Sequence, residues 1–307
     1  MSFARTPTTR VPLPRRAAAA VRFAGVRTLF STLDRVAPQR AADRAFDLWC
    51  TLPHNAGRRK DHRPGPGEVT RLPLEHGDVV VETWGDVDRP VVYLVHGWGG
   101  WRGQMGAFVE PLLATGHRVV AFDAPAHGDA SPGVLGPNRG NVLEIIAALE
   151  AVAAVTGPAR GVIGHSLGCA VAAGVVHAGL PADRLVLIAP SSDFEDITRE
   201  FGRILGFGER TRSRLQRVME DFCGRELATF DLGPMGADGA MPATLVVHDR
   251  QDKESPYAVG ERLADSWPTA VLHATDGLGH QRILADPGVV AVAVRHVSDL
   301  VPADPPA

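Results

Sequence analysis

The chain has 307 residues, of which 45% are hydrophobic and 22% charged, so it can bury a sizeable core and is neither a disordered tail nor a fibre. Its formal charge of -3 conceals a basic N-terminal portion and an acidic remainder. An acidic body argues against nucleic acid as a partner, and no apolar run approaches the roughly 20 residues of a membrane span.

Taken in order, the first 15 residues carry Pro7, Pro12 and Pro14 and are expected to be irregular. From about Arg16 to Val36, Val26, Leu29, Phe30 and Leu33 recur at helical spacing; Pro38 ends that helix and a second runs from Ala41 to Trp49. The pair reads as an amphipathic layer on the outside of the main domain. The alternative is weak peripheral contact with an anionic membrane through Arg22, Arg27 and Arg35. Residues 55 to 67 form a linker punctuated by Gly57, Pro64, Gly65, Pro66 and Gly67.

Beyond the linker the pattern changes to strands. Val69 to Leu74 and Val79 to Trp84 are predicted to pair around a turn at His76-Gly77-Asp78. Strands at Val91 to His96, Arg118 to Phe122, Arg160 to Ile163 and Arg184 to Ile188 then alternate with helices at about Gln104 to Leu113, Asn141 to Val155 and after Ser166. Such alternation implies parallel pairing with crossover helices, and Asn138 or Asn141 is the candidate cap of the long helix. From Ser191 to Met241 there is no strand pattern. Phe201, Leu205, Phe207, Met219 and Phe222 form either the small core of a helical insertion or an apolar acyl pocket, and Arg210, Arg214 and Arg217 are expected to make a solvated stripe. Strands at Thr244 to Val247 and Ala270 to His273 resume the alternation, with a helix at Ala258 to Ala264 between them and a last helix from about Arg282 to Leu300.

The stretch Gly164-His165-Ser166-Leu167-Gly168 joins a predicted strand to a predicted helix. A turn that sharp needs small residues two before and two after the serine, and it leaves the hydroxyl exposed. A serine hydroxyl becomes a nucleophile only when a base takes its proton, and that base must be held in one tautomer by a carboxylate. His280, after the last strand and next to Gly279, is the candidate base. Asp249 and Asp252, both after the strand Thr244 to Val247, are candidate acids; His96 and His127 precede glycines in turns and are expected to brace loops.

Together with His96-Gly97-Trp98-Gly99-Gly100, Asp123-Ala124-Pro125-Ala126-His127-Gly128 and His248-Asp249-Arg250-Gln251-Asp252, these stretches resemble the α/β-hydrolase superfamily over about Val69 to Leu300. The resemblance implies an α/β-hydrolase fold, a mostly parallel central sheet with helices on both faces and a small helical lid. The implied organisation is a basic N-terminal helical extension and linker (1 to 66), a core (67 to 190 and 242 to 302) and a lid insertion (191 to 241).

The resemblance also implies the order nucleophile Ser166, acid Asp252, histidine His280, with Asp249, or Asp193 or Asp196 after the preceding strand, as alternative acids and the backbone N–H groups of Trp98 and Leu167 as the oxyanion hole. The function that follows is a serine hydrolase acting on small-molecule carboxylic esters, thioesters or lipids through an acyl-enzyme. A C–C bond hydrolase with the same triad, or a non-catalytic binding protein, are the alternatives. Neither metal nor organic cofactor is expected, and Cys50, Cys169 and Cys223, too scattered for a disulfide framework, suit a cytoplasmic protein. Two departures stand out. Ala126 replaces a glycine that the family carries in its turn, so a positive φ there would be strained, and Cys169 follows the elbow where many members have glycine.

Overall fold

A computed structural model describes residues 15 to 53 and 60 to 298. The expected irregular N-terminus up to residue 14, the first part of the linker (55 to 59) and the end of the last helix lie outside the described residues.

The described residues divide into two compact units, one made of those up to 47 with 196 to 224 and the other of those from 48 to 195 with those from 225 onward. In the first, helices α1 (Arg15–Val36) and α2 (Pro38–Trp49) pack against most of α6 (Phe194–Leu205) and against α7 (Glu209–Cys223). Phe30 meets Phe207 with ring centroids 5.8 Å apart and Phe46 meets Phe222 at 5.3 Å. Arg27 donates to the carbonyls of Arg203 and Ile204, the Ser31 hydroxyl to Gly206 O at 2.6 Å, and Thr211 N–H to Asp34 Oδ1 at 3.1 Å. These bonds satisfy carbonyls at the end of α6 and an N–H at the start of α7 that the helices cannot satisfy themselves. The N-terminal helices therefore build one core with the insertion, a pairing across some 170 positions that periodicity does not reveal. Leu205, Phe207 and Met219 are buried, as a core would have them, and Arg210 and Arg217 are exposed.

The second unit holds an eight-stranded sheet in the order β1-β2-β4-β3-β5-β6-β7-β8. Strands β1 (Glu68–Pro73) and β2 (Asp78–Trp84) pair antiparallel, as do β2 and β4 (Arg118–Asp123). From β4 onward, β3 (Val91–Val95), β5 (Ala159–His165), β6 (Ala182–Ile188), β7 (Ala243–Asp249) and β8 (Ala270–Thr275) are parallel. Both faces are covered, which is why these strands read as near-continuous apolar runs. Tyr93, Val95, Val120 and Phe122 face α4 (Val142–Thr156) and α5 (Leu167–His177), whereas Val92, Leu94, Val119 and Ile163 face α3 (Val109–Ala114) and α11 (Pro287–Ser298). Asn141 caps α4 with a reciprocal pair: Glu144 N–H reaches Asn141 Oδ1 at 3.1 Å and Asn141 N–H reaches Glu144 Oε2 at 3.2 Å.

Two helices differ from expectation. The one predicted from about Gln104 begins as a 3-10 segment, Arg102–Phe108, before α3. The last is broken into α10 (Gly279–Arg282), a 3-10 turn at Ile283–Ala285 and α11, because Pro287 lacks an N–H and Asp286 instead caps Gly288 and Val289 at 2.9 and 3.1 Å. The strandless stretch after β6 is helical, continuing from α7 through a 3-10 turn at Leu227–Phe230 to α8 (Leu232–Met235); α9 (Ala258–Ser266) links β7 to β8. The C-terminal ends of β3, β4, β5 and β7 all point to the same edge of the sheet, where α/β folds bind ligands.

Candidate active site

Ser166 stands alone between β5 and α5, with φ 55° and ψ -122°. A non-glycine residue in that region costs about 1–3 kcal/mol, strain that the rest of the turn must offset. Ser166 N–H donates to Ile188 O at 3.0 Å and Ser166 O accepts from Cys169 N–H at 3.0 Å. The requirement for glycine two residues either side is a matter of close approach. A Cβ on Gly164 would lie 2.5 Å from Gly168 O, and one on Gly168 would lie 2.5 Å from Val95 O and 2.6 Å from His96 O. Cys169 is fully buried, its Sγ 3.2 Å from Gly164 O and 3.3 Å from Ile188 O, and burial pushes its thiol well above the ordinary value. A thiol so held is inert.

The loop after β3 passes directly over the serine, since a Cβ on Gly97 would stand 2.9 Å from Ser166 Cβ. Gly100 N–H closes a turn on Gly97 O at 2.9 Å with Gly99 at φ 62°, which leaves the N–H of Trp98, the first central residue, outside the turn's own bond. Leu167 opens α5, and a helix does not use the N–H of its first residue. The two proposed oxyanion donors thus come from a turn and a helix N-terminus on either side of Ser166. His96 braces the loop as expected: its Nδ1 is 2.8 Å from Gly97 O and its Nε2 accepts Ala124 N–H at 3.3 Å, so the proton sits on Nδ1. The Trp98 ring meets His127 edge-on at 5.6 Å.

The far end of the same loop is held by a buried charge network that the sequence reading missed. Arg102 N–H donates to Asp123 Oδ1 at 2.6 Å, while its guanidinium reaches Glu82 Oε2 and Asp129 Oδ2, each at 2.7 Å, and Asp123 Oδ2. Arg63 adds a second bond to Glu82 at 2.6 Å, and Glu82 and Asp123 are fully buried. Burial alone would push the Glu82 carboxyl up, but the Gly67 N–H, Arg102 and Arg63 hold it below its ordinary value. The available signal was Glu82 itself, a lone acid inside the apolar run Val79 to Trp84.

Between Asp123 and Ser131 the chain turns sharply, with Ala126 at φ 65° and its N–H on Ser131 O at 2.8 Å. The strain expected of alanine there is present. Ala126→Gly removes a left-handed penalty of about 1–2 kcal/mol and adds back about 0.5–1 kcal/mol of glycine entropy. The variant should gain about 0.5–1 kcal/mol in a urea melt; a loss would show that the methyl group packs productively.

His280 lies in the first turn of α10, 6% exposed, with Nδ1 2.7 Å from Asp252 Oδ2. Its carbonyl accepts from His165 Nε2 at 2.9 Å, and the two rings are 4.8 Å apart, which sets His280 against the residue preceding Ser166. Asp252 Oδ1 accepts Glu254 N–H at 2.8 Å and Ser255 N–H at 2.9 Å. The alternative acid Asp249 does something else. Its Oδ1 accepts Gln251 N–H at 3.0 Å and its Oδ2 accepts the Thr275 hydroxyl at 2.8 Å and Leu278 N–H at 2.9 Å, tying β7 to the loop that carries His280. Asp193 is exposed and Asp196 pairs with Arg199 at 2.6 Å.

Burial pushes the Asp252 carboxyl up, but hydrogen bonds from His248, His280 and Ser255 N–H more than offset it and hold it well below the usual 3.8. A depressed carboxylate stabilises the fold fully above about pH 4, and the contribution is lost as pH falls through its folded value. Urea midpoints of the wild type should therefore drop more steeply below about pH 4 than those of Asp252→Asn. Parallel pH profiles would contradict this.

The family model described as "Alpha/beta hydrolase family" matches residues 92 to 294. Over 95 residues the chain is 33% identical to the bifunctional esterase/perhydrolase DCH of Acinetobacter calcoaceticus, a stretch covering 30% of this chain and 32% of that relative, so about a third of the relative's length is spanned. Among solved structures, mouse alpha/beta hydrolase domain-containing protein 10 superposes with a TM-score of 0.59 at 14% identity, covering 74% of this chain and 96% of that one. The esterase RhEst1 from Rhodococcus sp. ECU1013 does so with a TM-score of 0.54 at 16% identity, covering 76% and 99%. At such identities the superpositions speak for the fold alone.

Proposed function

Because this chain belongs to the alpha/beta hydrolase family, we propose that it is a serine hydrolase that cleaves carboxylic esters through an acyl-enzyme. One observation supports this above the others: Asp252 and His280 are paired at 2.7 Å in a buried setting while the His280 ring packs against His165, the neighbour of a strained Ser166. Strain of that kind clusters at functional sites.

In the proposed reaction Asp252 accepts from His280 Nδ1–H and so keeps the lone pair on Nε2. His280 Nε2 takes the Ser166 hydroxyl proton as Oγ bonds to the ester carbonyl carbon. The oxyanion is stabilised by the N–H groups of Trp98 and Leu167, with the α5 dipole adding partial positive charge. Collapse breaks the ester C–O bond, and the proton passes from His280 to the leaving alcohol. Water then repeats the sequence and releases the acid. The relative's printed name couples esterase with perhydrolase, and the acyl-enzyme proposed here could pass its acyl group to hydrogen peroxide in place of water. All three cysteines are retained as thiols in this reading, in a cytoplasmic protein.

A series of p-nitrophenyl esters from acetate to laurate tests the proposal. Turnover with a stoichiometric burst of nitrophenol, abolished in Ser166→Ala, is the expected result. Equal turnover by wild type and Ser166→Ala would reject it.

A further inference from the structure

The mechanism above leaves one buried titratable side chain beside its acid unused. His248 is fully buried on β7, four residues before Asp252. Its Nε2 is 3.1 Å from Ser255 O and 3.5 Å from Asp252 Oδ2. Both neighbours are acceptors, so Nε2 must carry the hydrogen; a lone pair there would face two oxygens. Among the described residues its Nδ1 has no hydrogen-bond partner, and it is turned against Gly260, where an added Cβ would stand 2.7 Å away. A flipped ring would put a carbon where Nε2 now faces Ser255 O and Asp252 Oδ2, so those two acceptors fix its orientation.

Ser255 closes the arrangement. Its N–H donates to Asp252 Oδ1 at 2.9 Å and its hydroxyl to Pro190 O at 2.6 Å, anchoring the acid's turn to the loop after β6. Oδ2 of Asp252 consequently lies between two imidazoles, His280 at 2.7 Å and His248 at 3.5 Å. The close one carries out the proposed proton transfer, and the distant one is out of reach of any substrate.

We infer that His248 is a positioning residue for the hydrolytic reaction, its Nε2–H holding the Asp252 carboxylate in the rotamer that presents Oδ2 to His280. The inference rests on the reading of Asp252 as the orienting acid. Without this donor Oδ1 stays held by the N–H groups of Glu254 and Ser255, but Oδ2 has His280 as its one remaining side-chain partner and can tilt about the Cβ–Cγ bond, and a displaced acid lets the His280 ring swing from the line of proton transfer. Displacements of this size cost on the order of 10- to 100-fold in rate.

The test uses three variants of the full chain. In His248→Gln the side-chain amide nitrogen reaches about as far as the histidine Nε2, in His248→Asn it stops short, and His248→Leu fills the space with no donor. Active sites are counted by fluorophosphonate titration, and kcat and KM are measured with a p-nitrophenyl ester. His248→Asn and His248→Leu should lose about 10-fold or more in kcat per titrated site with KM unchanged, and His248→Gln should recover to within about 3-fold of wild type. If His248→Leu does not fold, the Gln and Asn pair carries the comparison. His248→Asn with wild-type kcat per site and only a lowered melting temperature would overturn the inference, because a purely structural histidine behaves that way. In an Asp252→Asn background the His248→Asn change should have no further effect on kcat. Wild-type turnover by Asp252→Asn alone would instead remove the premise, by showing that Asp252 is not the acid.

Discussion

Asp252→Asn should lower kcat by about ten-thousand-fold in a protein that still folds, whereas Asp249→Asn should cost mainly stability. The two residues are three apart on one turn, and their difference lies in what their oxygens accept. An amide at position 252 can present its NH2 to His280 Nδ1, now 2.7 Å from a carboxylate oxygen. That selects the tautomer with hydrogen on Nε2, which cannot accept the serine proton. Asp249 accepts from Gln251 N–H, the Thr275 hydroxyl and the N–H groups of Leu278 and Gly279, donors that are spread over both oxygens. Whichever way an asparagine turns, its NH2 meets a donor, and the unsatisfied group costs about 1–3 kcal/mol. Steady-state kinetics and urea melts on both variants separate the effects. A ten-thousand-fold kinetic loss at 249 with near-wild-type rates at 252 would reverse the assignment.

Gly168→Ala should be the most damaging single methyl group in the sheet's central crossover. The new carbon would sit 2.5 Å from Val95 O and 2.6 Å from His96 O, both backbone atoms at the end of β3 that cannot turn aside. Either α5 moves, carrying the Leu167 N–H away from the serine, or the loop after β3 moves, carrying Trp98. Overpacking of this kind costs about 1–3 kcal/mol, and if these N–H groups are the oxyanion donors proposed above, shifting one costs about 100-fold or more in rate. Gly174→Ala is the control within the same helix, since its Cβ would meet only Met235 Cε at 3.7 Å. It should stabilise by about 1 kcal/mol through helix propensity and leave the rate alone. Equal tolerance of both alanines would show that the elbow is looser than its contacts indicate.

What could be read from the sequence was whatever is local. The parallel strands announced themselves as apolar runs, the turn at Ser166 by its paired glycines, and the cap of the long helix as Asn138 or Asn141, of which the structure uses Asn141. Ala126 was recognised as strained if φ were positive, and it is, at 65°. What stayed hidden depends on distance along the chain. The partnership of α1 and α2 with α6 and α7 needs contacts such as Phe30 with Phe207, and nothing in either segment names the other. The division of labour between Asp249 and Asp252 follows from which loop each carboxylate reaches, a matter of side-chain direction at the end of β7. The Arg102 network joins residues from the linker to β4, and only the isolated acid Glu82 hinted at it. The last helix, expected from about Arg282, starts only at Pro287: Ile283-Leu284-Ala285 continues the apolar pattern of the helix, and the break before it is marked by Pro287 alone.

The measurement closest to the central claim is covalent. Folded wild-type protein treated with a fluorophosphonate and mapped by peptide mass spectrometry should carry one adduct, on Ser166, formed far faster than in His280→Ala. An adduct absent from Ser166, or found on another residue while Ser166 stays unmodified, would contradict the account.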